Sequence, residues 1–149
     1  MILKFINRTI ARGFFIGNIP GPSGTWGSIL AVILLLILPS LFSNIGIILL
    51  LFLLGTYASH KEEIVTGIHD DGRIIIDEIT GLFIVFIGIP HQPWLLVTGF
   101  FLFRFFDIFK PLGIAKAQYL PGGWGIMADD ILAGILSNFI LHLIIFILN

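Results

Sequence analysis

Every Lys, Arg, Asp and Glu of this 149-residue chain falls at alternate junctions of five apolar stretches, in front of them or just inside their ends. The stretches are Thr25 to Phe42, Ile45 to Ala58, Ile74 to Ile89, Trp94 to Phe109 and Ile131 to Leu148. Crossing a hydrocarbon core takes roughly 20 apolar residues. Several of these runs are shorter, so their helices are expected to continue a turn or more into the charged segments, as Ser59 to Val65 can after the second. The breaks Pro39-Ser40 with Ser43-Asn44, and Pro90-His91-Gln92-Pro93, carry turn chemistry and are too short for anything but tight returns. With 57% hydrophobic and 11% charged residues, a water-soluble domain is a poor reading. The expected fold is all-α: a polytopic transmembrane helical bundle of about five spans, forming a single domain over residues 1–149.

Lysines and arginines in short loops stay cytoplasmic. Lys4, Arg8 and Arg12 precede the first stretch, Lys61 and Arg73 lie between the second and third, and Lys110 and Lys116 between the fourth and fifth. The opposite breaks have none. The amino terminus is therefore expected inside and the carboxyl terminus outside. The acids Glu62, Glu63, Asp70, Asp71, Asp77, Glu78, Asp107, Asp129 and Asp130 map to the same inner side. The positive-inside rule concerns only Lys and Arg, so this one-sidedness needs another cause.

Residues 1–12 set Lys4, Arg8 and Arg12 at i, i+4 spacing, with Ile2, Leu3, Phe5, Ile6 and Ile10 around the other face. That is the pattern of an interfacial amphipathic helix, its basic stripe expected toward anionic head groups. A net charge of -1 and the lack of a dense basic cluster set nucleic acid aside as a partner. The absence of cysteine removes thiolate metal sites and any cysteinyl-phosphate mechanism.

Four segments converge on the inner face. Gly21-Pro22-Ser23-Gly24-Thr25-Trp26-Gly27-Ser28 is a glycine-rich turn leading into a helix, where Gly24, Thr25, Gly27 and Ser28 can offer groups to a phosphate. His69-Asp70-Asp71-Gly72-Arg73 runs on to Asp77-Glu78-Ile79-Thr80-Gly81. Arg104, Asp107 and Lys110 share one helix face. Asp129 and Asp130 open the last stretch, and Gly81 and Gly134 allow neighbouring helices to approach closely. Clusters of oxygen ligands alone suit Mg²⁺ or Mn²⁺ rather than zinc or copper. Carboxylates, helix amino ends and an Arg/Lys pair around one site are what hydrolysis of a phosphate monoester requires. The plainer reading is a set of inter-helix salt bridges, such as Arg104 with Asp107 or Asp77; the acids outnumber the bases available to them.

These residues resemble the phosphatidylglycerophosphatase A group of bacterial membrane enzymes. The likeness runs through Pro-Gly-Pro-Ser-Gly-Thr-Trp-Gly-Ser at 20–28, His-Asp-Asp-Gly at 69–72, Asp-Glu-Ile-Thr-Gly at 77–81, Phe-Arg-Phe-Phe-Asp-Ile-Phe-Lys-Pro at 103–111 and Gly-Gly-Trp-Gly-Ile-Met-Ala-Asp-Asp-Ile-Leu-Ala-Gly at 122–134. The resemblance implies Mg²⁺-dependent removal of the terminal phosphate of phosphatidylglycerophosphate, a phospholipid of the inner leaflet, at the cytoplasmic face of the bacterial inner membrane. It carries the family's motif positions onto Gly24, Thr25, Gly27, Asp70, Asp77, Glu78, Arg104, Asp107, Lys110, Asp129 and Asp130. Within that set the expected metal ligands are Asp77, Glu78, Asp129 and Asp130, with Asp70 or Asp107 completing them, while Arg104 and Lys110 hold phosphate. No feature specifies an oligomeric state. A metal-dependent lipid phosphotransferase is suggested by Asp70-Asp71-Gly72-Arg73, but the longer series of spaced aspartates is missing. A cation transporter would need polar residues in the outer halves of the spans, and these are almost wholly apolar.

Overall fold

The computed structural model describes residues 1–148, and among them the regular structure is entirely helical. The helices are α1 (Ile2–Ala11), α2 (Ser23–Ile37), α3 (Pro39–Phe42), α4 (Ile45–Thr66), α5 (Ile76–Val85), α6 (Pro93–Phe109) and α7 (Gly123–Leu148), with 3₁₀ segments at Ile16–Asn18 and Pro111–Tyr119. Two of them, α4 and α7, are long and apolar enough to cross a membrane. The others fall short for local reasons. Pro39 forces the preceding Leu38 out of the helical region (φ −134°, ψ 63°), so the first apolar stretch divides into α2 and the single turn α3. Asn44 then starts α4 by accepting from the amides of Gly46 and Ile47. α4 continues through Ser59–Val65 as expected, and α7 begins two turns ahead of Ile131.

The third stretch departs most from expectation. Instead of a helix over Ile74 to Ile89, α5 has 10 residues, a rise of about 15 Å and half a hydrocarbon core. All of it except Glu78 and Ile84 is buried, enclosed by α2, α4, α6 and α7. Its carbonyl end would be costly inside a bundle if unpaired. Asn138 on α7 satisfies it, its Nδ2 donating to the carbonyls of Val85 (2.8 Å) and Ile87 (2.9 Å). α5 and α7 lie backbone to backbone: a Cβ on Gly134 would come 2.3 Å from the Gly81 carbonyl oxygen, and one on Gly81 would come 2.7 Å from that of Asp130. Only glycine permits this approach, which the sequence had anticipated.

Four buried hydroxyls turn back on their own helices. Ser28, Thr56, Thr80 and Ser137 donate to the carbonyls of Gly24, Phe52, Ile76 and Ala133, the usual way to satisfy such groups within a helix. The core is held by Phe83, Phe86, Phe103 and Leu82, all fully buried, while Leu49, Leu53, Phe101, Phe139 and Phe146 stand exposed on the outer faces.

α1 is a helix over the expected residues, but Arg8 and Arg12 of its basic stripe turn to the protein, while Lys4 is exposed. Arg8 and Arg12 both bond Glu62 on α4, at 3.0 and 2.5 Å. Glu62 and Arg12 are 2% and 5% exposed, whereas Ile2, Leu3 and Phe5 are turned outward. The reason is that a buried Glu62 needs a cation more than an exposed Arg needs an anion. The end of α1 is tied to the start of α5 as well, through the Ile75 amide and the Ala11 carbonyl (2.9 Å).

Candidate active site

The contact of Gly81 with Gly134 sets α5 against α7 in parallel, and on each helix a carboxylate stands four residues before the glycine: Asp77 and Asp130. With Glu78 they form one group in which a carboxylate oxygen from each lies within 4.8 Å of the others. Asp77 Oδ1, Glu78 Oε2 and Asp130 Oδ2 are buried and have no hydrogen-bond partner among the described residues. Three such oxygens at close range repel one another and have lost their water. An oxygen-only set of this kind fits a hard divalent cation such as Mg²⁺, with Asp77, Glu78 and Asp130 as the residues that would hold it.

α2 and α6 close the group from the other side. A Cβ on Gly24 would stand 2.4 Å from Glu78 Oε1 and 2.9 Å from Arg104 Nη1, so the missing side chain makes room for both. Arg104 Nη1 is 2.7 Å from Asp107 Oδ2, one turn along α6. That pair is not aligned as a hydrogen bond, which leaves guanidinium donors for another anion.

Lys110 ends α6 in a left-handed conformation (φ 46°) and donates to Asp129. Asp129 is thus placed beside the three clustered acids and not among them; adjacent residues of a helix point about 100° apart. Asp70 sits at the exposed rim. Its carboxyl is raised above the ordinary value by the surrounding chain and by the charge of Asp129, with Lys110 opposing. The same rim holds Gln118, whose Nε2 donates to Asp70 Oδ2 at 3.4 Å.

Among the proposed phosphate groups, Gly27 packs on α5, where a Cβ would meet Ile75 Cβ at 3.0 Å. The Ser28 hydroxyl is committed to the Gly24 carbonyl, and the amide of Thr25 to that of Pro22. Glu62, Glu63 and Asp71 belong elsewhere. Asp71 accepts from Arg73, which holds its carboxyl below the ordinary range, and Glu63 pairs with His69 at 2.7 Å. Two residues went unremarked in the sequence: Gln118, for which there was no signal, and Asn138, a lone amide within an apolar run.

Fold and site define a helical protein that gathers clustered carboxylates beside an arginine and a lysine, a set of groups suited to a phosphate ester. A family model described as phosphatidylglycerophosphatase A matches residues 9–145. The phosphatidylglycerophosphatase A of Haemophilus influenzae is 46% identical over 131 residues, covering 85% of this chain and 80% of that protein. That of Escherichia coli K12 is 38% identical over 141 residues, covering 91% and 81%. A Bacteroides thetaiotaomicron relative, whose name provisionally assigns it phosphatidylinositol-3-phosphatase activity, is 37% identical over 144 residues, covering 90% of each. No solved structure matches the chain significantly. The chain belongs to the phosphatidylglycerophosphatase A family and is a phosphatase.

Proposed function

We propose that this enzyme hydrolyses the terminal phosphate monoester of phosphatidylglycerophosphate, releasing phosphatidylglycerol and inorganic phosphate, at the cytoplasmic face of a bacterial inner membrane, with Mg²⁺ or Mn²⁺. The observation that carries this reading is the set of three buried, partnerless carboxylate oxygens of Asp77, Glu78 and Asp130 beside Arg104. The substrate is that named for two of the relatives. A phosphoinositide is the second reading, favoured by the name of the third.

When bound, a divalent cation neutralises phosphoryl oxygens and makes water a better nucleophile. The chain supplies the rest. Arg104 and Lys110 bind the phosphoryl oxygens and take up charge as the bond to the leaving oxygen lengthens. Asp107 and Asp129 hold those two cations in place. Water forms the new bond to phosphorus and gives up a proton to solvent, the P–O bond to the glycerol breaks, and the glycerol oxygen takes up a proton. Asp70, at the mouth with a raised carboxyl, is suited to deliver it.

In the proposed topology α2 with α3, α4, α6 and α7 cross the bilayer. The third crossing is α5 completed by the turn at Phe86–Ile89, non-helical backbone being tolerable at that depth because protein surrounds it. The basic segments then place the amino terminus and the site inside.

Purified enzyme in detergent should release phosphate from phosphatidylglycerophosphate with Mg²⁺ and stop on chelation. Asp130→Asn should lower turnover at least about 100-fold and abolish the rise in Tm that Mg²⁺ produces in the parent. Folded parent protein that is inactive with metal, or a variant whose Tm still responds fully to Mg²⁺, would overturn the assignment.

A further inference from the structure

We infer that the groove between α2 and α6 is a binding subsite for one acyl chain of the phospholipid substrate, which enters sideways from the membrane with its phosphate toward Arg104. The inference rests on the lipid phosphatase reading above. The groove has a volume of about 350 Å³ and an entirely apolar lining that includes Ile29 and Ile33 from α2 with Leu96, Val97, Phe100 and Phe101 from α6.

Its position is what identifies the occupant. The two helices run antiparallel and touch below the groove where Gly24 meets Arg104. Ile29 lies five residues beyond Gly24 on α2, and Phe101 three residues before Arg104 on α6, so the inner end opens within about two turns of the guanidinium. Its outer end, at Ile33 and Val97, faces away from the protein, these residues being 45% and 56% exposed. An anion held by Arg104 and an apolar chain lying along Phe101, Val97 and Ile33 are the two ends of a phospholipid.

A second groove, lined by Leu112, Ile114, Leu132, Ile135 and Phe139, flanks the site on the far side. There the lining is partly polar, whereas that of the α2–α6 groove is apolar throughout. The α2–α6 groove therefore has the stronger claim.

In a bilayer an acyl chain gains little by exchanging lipid for an apolar groove, because both are equally dry. The subsite acts by orientation: a chain seated between the helices fixes how the head group approaches, and small displacements of a reacting group are costly. The effect should therefore depend on chain length, since a six-carbon chain lays far less of itself against Ile33 and Val97 than an eighteen-carbon one.

The test measures phosphate release from the dioleoyl and the dihexanoyl forms of phosphatidylglycerophosphate in mixed micelles. It compares the parent with Val97→Trp and Ile33→Trp, which fill the outer end, and with Leu49→Trp, which adds the same bulk to an exposed position of α4 outside the groove. The groove variants should lose about tenfold in kcat/KM on the dioleoyl substrate and stay within about twofold of the parent on the dihexanoyl one. Leu49→Trp should leave both unchanged. Equal effects on both chain lengths, or no effect on either, would overturn the inference while leaving the phosphatase reading intact. A change of oligomeric state on Val97→Trp would overturn it too, by showing that a second copy covers this face. A parent protein inactive on both substrates would remove the phosphatase reading and the subsite with it.

Discussion

A methyl group at position 24 would stand 2.4 Å from one carboxylate oxygen of Glu78, and what must yield there is the end of a flexible side chain and not a backbone. Gly24→Ala is accordingly expected to fold, with a stability change within about 1 kcal/mol. Turnover is expected to fall about 100-fold, because Glu78 and Arg104 are pushed off their positions together. Folded yield and Tm beside phosphate release check this, and undiminished turnover would show that the close approach serves packing alone. The acids of the site also differ in kind. Asp129 and Asp107 each face a cation, whereas Asp77, Glu78 and Asp130 mainly face one another.

Helix α1 shows how a charged element can be secured against its own protein. Its Arg12 and the Glu62 it meets on α4 are both buried, and Asp71 lies 4.0 Å from the same guanidinium. Glu62→Gln leaves Arg12 buried with a weakened partner and is expected to cost about 3 kcal/mol, the scale for breaking a buried pair. Arg73→Gln, at a half-exposed side chain, should cost under about 1 kcal/mol near neutral pH. Unfolding in detergent compares the two, and equal losses would contradict the burial argument. The Asp71–Arg73 contact also has a pH signature. Arg73 lowers the folded-state pKa of Asp71, so its contribution is fully present above the ordinary value of about 4 and is lost as pH falls through the lower folded one. Tm measured from about pH 6 downward should therefore fall more steeply in the parent than in Arg73→Gln, the gap between them closing as Asp71 takes up its proton.

For the molecule as a whole, the proposed topology can be checked cleanly because the chain has no cysteine. Ser40→Cys, before α4, should react with an impermeant reagent from outside, and Lys116→Cys only after the membrane is opened; labelling of both from one side would refute the arrangement. Much of this was legible beforehand. The helical character, the presence of helices apolar enough to cross a membrane and the gathering of Asp77, Arg104 and Asp130 at one end follow from the distribution of charged and apolar residues along the chain. Even the join of α5 to α7 left a trace in the matching spacings from Asp77 to Gly81 and from Asp130 to Gly134. The length of α5 left none: the apolar run continues to Ile89, and the helix stops at Val85, where Asn138 donates to the carbonyls of Val85 and Ile87. The orientation of α1 was equally hidden, because Arg8 and Arg12 turn inward only when α4 brings Glu62 to them. Composition and spacing are local, and they determined the helical class of this protein and which residue types gather at one end of it. Which acid faces its neighbours and which is paired with a lysine or arginine depends on the rotation of one helix against another, and that was decided only when glycine contacts let the helices close.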